Sequence, residues 1–425
     1  MKFKKSQQLL QRSLNVIPIG SQTFSKSYLQ YPKGLSPLFL KKGLGSYVWD
    51  VDDNKYIDLV NGLLPIVLGY CDTDVDNAIK NQLEKGIVFS LSTELEIKLA
   101  EKLIYHIPSA EKVRFGKNGS DATSAAIRLA RAYTKRDRVA ICGYHGWHDW
   151  YIGSTTRNIG VPSAVSELSH RFKYNDIDSL QKLFRNYKNE FAAVIMEPMN
   201  TEIPTNNFLN EVQLLSKKNG ALFILDEIIT GFRYDLGGAQ KLFGLTPDLS
   251  TFGKSMGNGM PISAIVGKAE IMDLMNDIFY SGTFGGEALS LSASLAVIKK
   301  METTPVIEHL WKLGKYLSDS VIAEIKNKNL SDVFSITGMA PWMIVTIHDR
   351  QPYTKEFIKT IFMTEMLNQG ILIQSSHNIS FAHSIEDCEK IIEAYSNTLT
   401  YIANIFDGIK KVELESVIKP TFKVR

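Results

Sequence analysis

A lysine, two adjacent carboxylates, a glycine-serine turn and a cluster of aromatic and imidazole side chains are the groups best placed to do chemistry in this chain. The lysine is Lys254, in "PDLSTFGKSMGNGMP" (247–261), with Gly253 before it and Gly257 and Gly259 after it. Two phosphate-loop readings fail on register. A Gly-Lys-Ser loop of the nucleotide-binding type needs glycine where Asp248 stands, and a dinucleotide fingerprint begun at Gly257 needs glycine where Ile262 stands. What remains is a lysine whose amine is itself the reagent. A lysine depressed in pKa by its surroundings is a good nucleophile toward an aldehyde and forms a Schiff base. The small residues around it then read as room for a planar ligand.

Three other stretches supply partners for such a ligand. In "VRFGKNGSDATSAAIRLAR" a strand runs through Asn118, Gly119 and Ser120 into an alanine-rich helix that Ser120 or Asp121 can cap. The free amides and positive dipole of its first turn suit a phosphate, or the junction is an ordinary capped helix. In "VAICGYHGWHDW" Tyr144, His145, Trp147, His148 and Trp150 follow a strand. They suit a flat ring held by stacking, or an aromatic core with His145 as a hydrogen-bonded spacer. "ALFILDEIITGFR" ends an apolar run in Asp226 and Glu227. A carboxylate there is costly to bury unless it meets a cation or a donor, and a helix cap is the plainer use. One ligand satisfies all four stretches. Pyridoxal 5′-phosphate has a phosphate, an aromatic ring, a ring nitrogen that needs an anion to stay protonated, and an aldehyde.

The elements that must position these residues follow from pattern. Short apolar runs at 112–116, 138–143, 192–198, 221–227 and 263–267 alternate with helical patterns at 95–105, 121–135, 177–187, 207–219 and 287–302. Continuous apolar strands between helices predict an α/β domain with a mostly parallel sheet, and ligands gather at the carboxyl ends of such strands. "GSYVWDVDDNKYIDLV" predicts a hairpin turning at Asp52–Asn54. Beyond about 305 a helix, two β-rich patches and two helices predict a smaller α+β domain. A formal charge of +3 over 425 residues gives no support for nucleic acid or an acidic membrane as partner. Cys71, Cys142 and Cys388 match no metal spacing, so no metal site is expected. Reduced thiols and the lack of an uninterrupted apolar span predict a cytoplasmic protein that does not enter the membrane.

From about residue 15 to 400 the chain resembles the class III aminotransferases of the pyridoxal-phosphate fold-type I enzymes, and within them glutamate-1-semialdehyde 2,1-aminomutase. The stretches that carry the resemblance are "GSYVWDVDDNKYIDLV", "NGSDATSAAIRLAR", "YHGWHD", "LDEIITGFR", "PDLSTFGKSMGNGMP", "SGTFGGE" and "GILIQSSHNISFAHS". The resemblance implies the α/β transferase fold of type I. Its large domain (61–304) would carry a mostly parallel seven-stranded sheet, beside a small α+β domain (305–425) on which an N-terminal segment (1–60) packs. It implies that Lys254 forms the internal aldimine and shuttles the proton between Cα and C4′. Asp226 would pair with the pyridinium nitrogen. Asn118, Gly119 and Ser120 would hold the phosphate, Tyr144 would stack on the ring with His145 behind it, and Glu197 and Asn200 would stand beside the cofactor. Thr283 would reach the phosphate in the neighbouring subunit of a homodimer with shared active sites.

The departures concern the substrate. Lys26 stands where the aminomutase has an arginine for the substrate carboxylate, and a lysine lacks the two-pronged fork. Leu63 replaces its tryptophan, and Glu287 stands where the family usually has asparagine. These changes favour an aminotransferase that uses an amino donor and a carbonyl acceptor, the acceptor being sugar-like or otherwise without a gripped α-carboxylate. An intramolecular aminomutase is the alternative, for which Glu227 and the general likeness speak. A non-catalytic module of the same fold has no reason to keep both Lys254 and Asp226.

Overall fold

The computed structural model describes residues 3–199, 201–205 and 207–419. The described chain divides into two compact units, one formed by residues 3–72 together with 308–419, the other by Thr73–Ile307. In the first unit β1 (Leu40–Leu44), β2 (Tyr47–Asp50) and β3 (Lys55–Asp58) form an antiparallel meander. The turn after β2 is built by Asp50, whose carboxylate accepts the amides of Asp52 at 2.9 Å and Asn54 at 2.8 Å. This is the local side-chain bonding that makes aspartate a turn residue.

The second unit is built on a seven-stranded sheet. Its strands are β4 (Lys112–Gly116), β5 (Arg138–Cys142), β6 (Ser169–Arg171), β7 (Phe191–Met196), β8 (Leu222–Asp226), β9 (Leu249–Phe252) and β10 (Ser263–Gly267). Their order is β4-β10-β9-β8-β7-β5-β6, with β10 antiparallel to both neighbours and the other pairs parallel. Two reversals cancel, so β4 runs in the same direction as β9. Every residue of β7, β8, β9 and β10 is buried.

Alternate residues of these strands feed two separate cores, as the two-residue period of a strand requires. Val139, Ile141, Ala193, Ile195 and Ile224 pack with Ala125, Ala126, Leu129 and Ala130 of the helix Gly119–Thr134. Ala140, Val194, Met196, Phe223 and Leu225 pack with Leu180 and Phe184 of the helix Ile177–Asn186 and with Phe208, Leu209 and Val212 of the helix Phe208–Lys218. Helices on both faces leave only the sheet's ends open. The carboxyl ends of β4, β5, β7, β8 and β9 lie at one such end and deliver residues 117–120, 143–145, 197, 226 and 253–254 to a common edge.

Two strands differ from the sequence reading. β6, with the sequence Ser-His-Arg, is a short polar edge strand, and β9, with the sequence Leu-Ser-Thr-Phe, is a buried strand whose two central residues are polar. A helix Thr73–Leu83 that the pattern did not announce also precedes the helix expected at 95–105. The first unit continues with β11 (Phe334–Met339), β12 (Trp342–Ile347), β13 (Ile371–Leu372) and β14 (Ser376–Asn378) and with the helices Lys355–Asn368 and Ile385–Phe406. β13 joins β3 in parallel, so the N-terminal meander and the C-terminal region share one sheet.

Candidate active site

Asp226 is the last residue of β8 and pairs in register with Thr251 of β9. Its carboxylate is 4% exposed. It accepts three hydrogen bonds: from Thr251 Oγ1 at 3.1 Å, from the amide of Ile228 at 3.1 Å and from His145 Nδ1 at 2.7 Å. A carboxylate offers about four lone-pair sites, so one remains for a further donor. His145, buried, must carry its proton on Nδ1 to serve the carboxylate, and its Nε2 has no partner among the described residues. The imidazole is stacked on Trp150 at 6.3 Å and meets Tyr151 edge-on at 5.5 Å. Of the five residues in that reading, Trp150 is buried core, joined there by Tyr151, while Trp147 is exposed; His145 is hydrogen-bonded to Asp226.

Tyr144 differs from that core because 44% of its surface is open. Its ring is braced edge-on by Tyr151 at 5.5 Å, and its amide donates to Glu197 Oε2 at 2.9 Å. Glycines with positive φ flank the Tyr144-His145 pair, Gly143 at +111° and Gly146 at +102°. A Cβ at Gly143 would collide with the Glu197 carboxylate, and one at Gly146 with the Ser120 hydroxyl. Close backbone approach is what fixes these two positions as glycine.

Of the two residues expected to cap the turn after β4, Asp121 takes part and Ser120 does not. Asn118 is the N-cap of the helix Gly119–Thr134. Asp121, in its first turn, accepts the amides of Asn118 at 2.7 Å and Lys117 at 3.1 Å. Ser120 lies inside the helix, where its hydroxyl accepts the amide of Trp147 at 3.3 Å. The first amides of this sixteen-residue helix have no acceptor within it. An anion placed at Gly119 and Ser120 would find donors and the positive end of the helix dipole.

Lys254 opens the turn Lys254–Gly257 that follows β9, with φ of +40°. That is unusual for a residue with a side chain and is the kind of strain found at functional positions. Burial lowers its pKa from 10.5 to about 8, against the opposing pull of the Glu197 and Asp226 charges and with a small contribution from Arg233 in the same direction as burial. The surrounding glycines need a correction. A Cβ at Gly253 would stand 3.2 Å from the side chain of Ile228, and one at Gly257 would stand 2.9 Å from Ile262. The thinning makes room for the protein's own isoleucines, not for a ligand at those two points.

Ile228 is a residue the sequence reading passed over. Its side chain lies 3.1–3.2 Å from a Cβ built at Gly119 and 3.2 Å from one built at Gly253. It is an apolar wedge between the turn after β4 and the lysine turn, two residues beyond Asp226. The two glycines were the available signal. Thr251 was also missed, since a threonine inside a strand shows no function until its partner across the sheet is known.

Glu227 is settled by its surroundings. Fully buried, it accepts from Thr230 Oγ1 at 2.7 Å and from the amides of Ala239 at 2.6 Å and Gln240 at 2.8 Å. It caps the helix Gly238–Phe243, so it gives no support to the aminomutase alternative. Glu287 is the N-cap of the helix Ala288–Thr303 and pairs with Lys117 at 2.9 Å, which commits the carboxylate within the protein. Thr283 is exposed in the segment before that cap. Asn200 lies outside the described residues. Lys26 and Leu63 belong to the other unit, Lys26 exposed at the end of a short 3₁₀ turn and Leu63 half-buried against a cluster containing Tyr56 and Leu372.

Comparison with known proteins agrees with this geometry. The family model described as aminotransferase class-III matches residues 30–406. The chain is 37% identical to glutamate-1-semialdehyde 2,1-aminomutase of Alkaliphilus oremlandii, over 93% of this chain and 99% of the relative. It is 35% identical to 3-aminobutyryl-CoA aminotransferase of Cloacimonas acidaminovorans, over 95% of this chain and 98% of the relative. Among solved structures, the FumI protein of a Sphingopyxis species in its PLP internal aldimine form superposes with a TM-score of 0.87 at 28% identity, over 95% of this chain and 98% of that one. An omega-transaminase from Sphaerobacter thermophilus gives 0.84 at 27% identity, over 93% and 97%.

The burial of Lys254 has a direct consequence for pH. In the cofactor-free protein its amine is expected to be protonated and unreactive below about pH 8 and free above it. Reductive methylation of Lys254, read by peptide mass, should therefore rise through that pH. Glu197→Gln removes the largest contribution that keeps the amine charged and should move the midpoint lower. A midpoint like that of surface lysines would contradict this assignment.

Proposed function

We infer the reaction from an established premise: the chain belongs to the class-III aminotransferases, and its cofactor is pyridoxal 5′-phosphate. The reaction we propose is transfer of an amino group from an external donor to a carbonyl acceptor, with Lys254 joined to the cofactor aldehyde as a Schiff base at rest. The bound cofactor supplies an aldehyde that captures amines and a protonated ring that draws electrons from the carbon being deprotonated. The observation that carries the proposal is the Asp226 carboxylate, buried, held by three donors and left with one site for a ring N–H.

Each remaining residue has a task in this reading. Lys254, its pKa lowered by desolvation to about 8, gives up its proton more readily than a surface lysine and would accept and return the proton at the reacting carbon. Tyr144 would cover one face of the ring and Ile228 would be the apolar group available to the other. Gly119 and Ser120 would bind the phosphate through backbone amides, with Asn118 capping the same helix. Glu197 holds the Tyr144 backbone and stands with Asp226 as a second buried anion. His145 keeps Asp226 oriented through the Nδ1 bond. The turn also places the lysine directly after a strand hydrogen-bonded to the strand of Asp226, so the two groups share one rigid support.

For the substrate, Lys26 in place of an arginine and Leu63 in place of a tryptophan argue against tight capture of an α-carboxylate. One relative's name leans the same way, since 3-aminobutyryl-CoA is a thioester with its amine away from the α-carbon. A carbonyl compound without a neighbouring free carboxylate, a sugar-like one among them, is the acceptor class we favour. The aminomutase reading keeps the support of the 37% identical relative.

We further propose a homodimer with shared active sites, in which Thr283 meets the partner's cofactor phosphate. Val88, Phe89 and Leu91 line an exposed cavity of about 720 Å³ together with Thr283. Leu91 is 84% exposed, and apolar surface of that kind marks an interaction site.

Two outcomes are expected. Incubation with donor and acceptor should release one keto product per amine formed, and Asp226→Asn should slow that turnover by about 100-fold or more with folding retained. Rearrangement of a single substrate with no keto product would instead establish the aminomutase. Sedimentation equilibrium should return twice the 47.7 kDa of one chain, and a monomer at micromolar concentration would rule out the shared site.

A further inference from the structure

The phosphate turn carries a cation that the site as described does not use. Lys117 stands immediately before Asn118-Gly119-Ser120, and its Nζ lies 2.9 Å from Glu287 Oε2. The pair is largely removed from solvent, with side chains 19% and 10% exposed. Glu287 is itself held in place. Its Oε1 accepts the amide of Leu289 at 2.6 Å, and its Oε2 accepts the hydroxyl of Ser290 at 2.6 Å and the amide of Ser290 at 3.2 Å. It thereby caps the helix Ala288–Thr303, which packs on the turn of Lys254. A Cβ at Gly257 of that turn would stand 4.0 Å from Ser294 Oγ of the helix.

The backbone of the same turn is pinned separately. Asp121 Oδ2 accepts the amides of Lys117 and Asn118. Lys117 and residues 280–285, which lead into the Glu287 cap, also line a common cavity of about 330 Å³. A lysine next to a phosphate turn would ordinarily be read as a phosphate ligand. Here its charge is spent on a carboxylate 170 residues away in the sequence that is rigidly mounted on another element.

We propose that Lys117 and Glu287 are a positioning pair: their ion pair sets the Asn118–Ser120 turn against the start of the helix Ala288–Thr303, and so sets how tightly the turn grips a phosphate. The proposal rests on the cofactor reading above. Ion pairs of this burial are costly to break from one side, because the remaining charge is left without compensation. Loss of either partner should therefore loosen the turn, and loss of both should cost no more than loss of one.

The test uses the full-length protein with Lys117→Met, Glu287→Gln, the double variant and Lys117→Arg. Glutamine can still cap the helix, and methionine leaves Glu287 to do so, which keeps the fold. Two quantities are read: hydrogen exchange at 117–120 in the cofactor-free protein, and the dissociation constant of pyridoxal 5′-phosphate. Either single variant is expected to speed exchange at the turn and to weaken the cofactor about tenfold. The double variant should match the singles, and Lys117→Arg should behave as wild type. If Lys117→Met weakens the cofactor while Glu287→Gln leaves it unchanged or tighter, Lys117 is a direct phosphate ligand and the proposal is wrong. Unchanged exchange and affinity in both singles would also overturn it. Should the wild type bind no pyridoxal 5′-phosphate, the cofactor reading fails on its own, and the exchange measurement still decides the pair.

Discussion

An amine can be a nucleophile near neutral pH only if something holds it short of its proton, and in this protein that is burial. Desolvation alone would push Lys254 far down, while two buried anions, Glu197 and Asp226, pull it back toward the charged form. The balance leaves the amine near 8, where both protonation states are within reach at working pH. Remove the burial and the lysine is a spectator. Remove the anions and it holds a proton less readily. The rest of the second unit can be understood as the support for that balance.

The support is the carboxyl edge of a sheet buried on both faces. β8 and β9 are paired residue by residue, so Asp226 and the lysine turn cannot drift apart without breaking the ladder. Thr251 fastens the carboxylate from the neighbouring strand and His145 fastens it from the loop after β5. Glycines admit the contacts that a side chain would block, most tightly at Gly143 and Gly146. The strained backbone of Lys254 is consistent with this, because only a heavily constrained surround keeps a side-chain-bearing residue at positive φ.

Much of this was legible in the residues, and the failures have physical causes. Strands such as Phe191–Met196 announce themselves because burial on both faces demands unbroken apolar sequence. β9 hides behind Ser250 and Thr251, which are buried with partners, Ser250 accepting from Gln240 Nε2 and Thr251 donating to Asp226, and such partners lie too far along the chain to be read locally. β6 is three polar residues at the sheet edge, where no core imposes a pattern. The glycines beside Lys254 correctly signalled close approach but not what approaches, and the answer was Ile228 and Ile262. Asp226 and Glu227 were indistinguishable as neighbours in sequence. The alternation of the strand sends one to the edge used for chemistry and the other into the cap of a helix.

The account stands or falls on the bond between Lys254 and the cofactor. Borohydride treatment of the cofactor-loaded enzyme, followed by digestion and peptide mass mapping, tests it most directly. The mass of reduced pyridoxal phosphate should appear on the peptide containing Lys254 and on no other. Cofactor fixed to a different lysine, or to none, would contradict the assignment from which every other role derives.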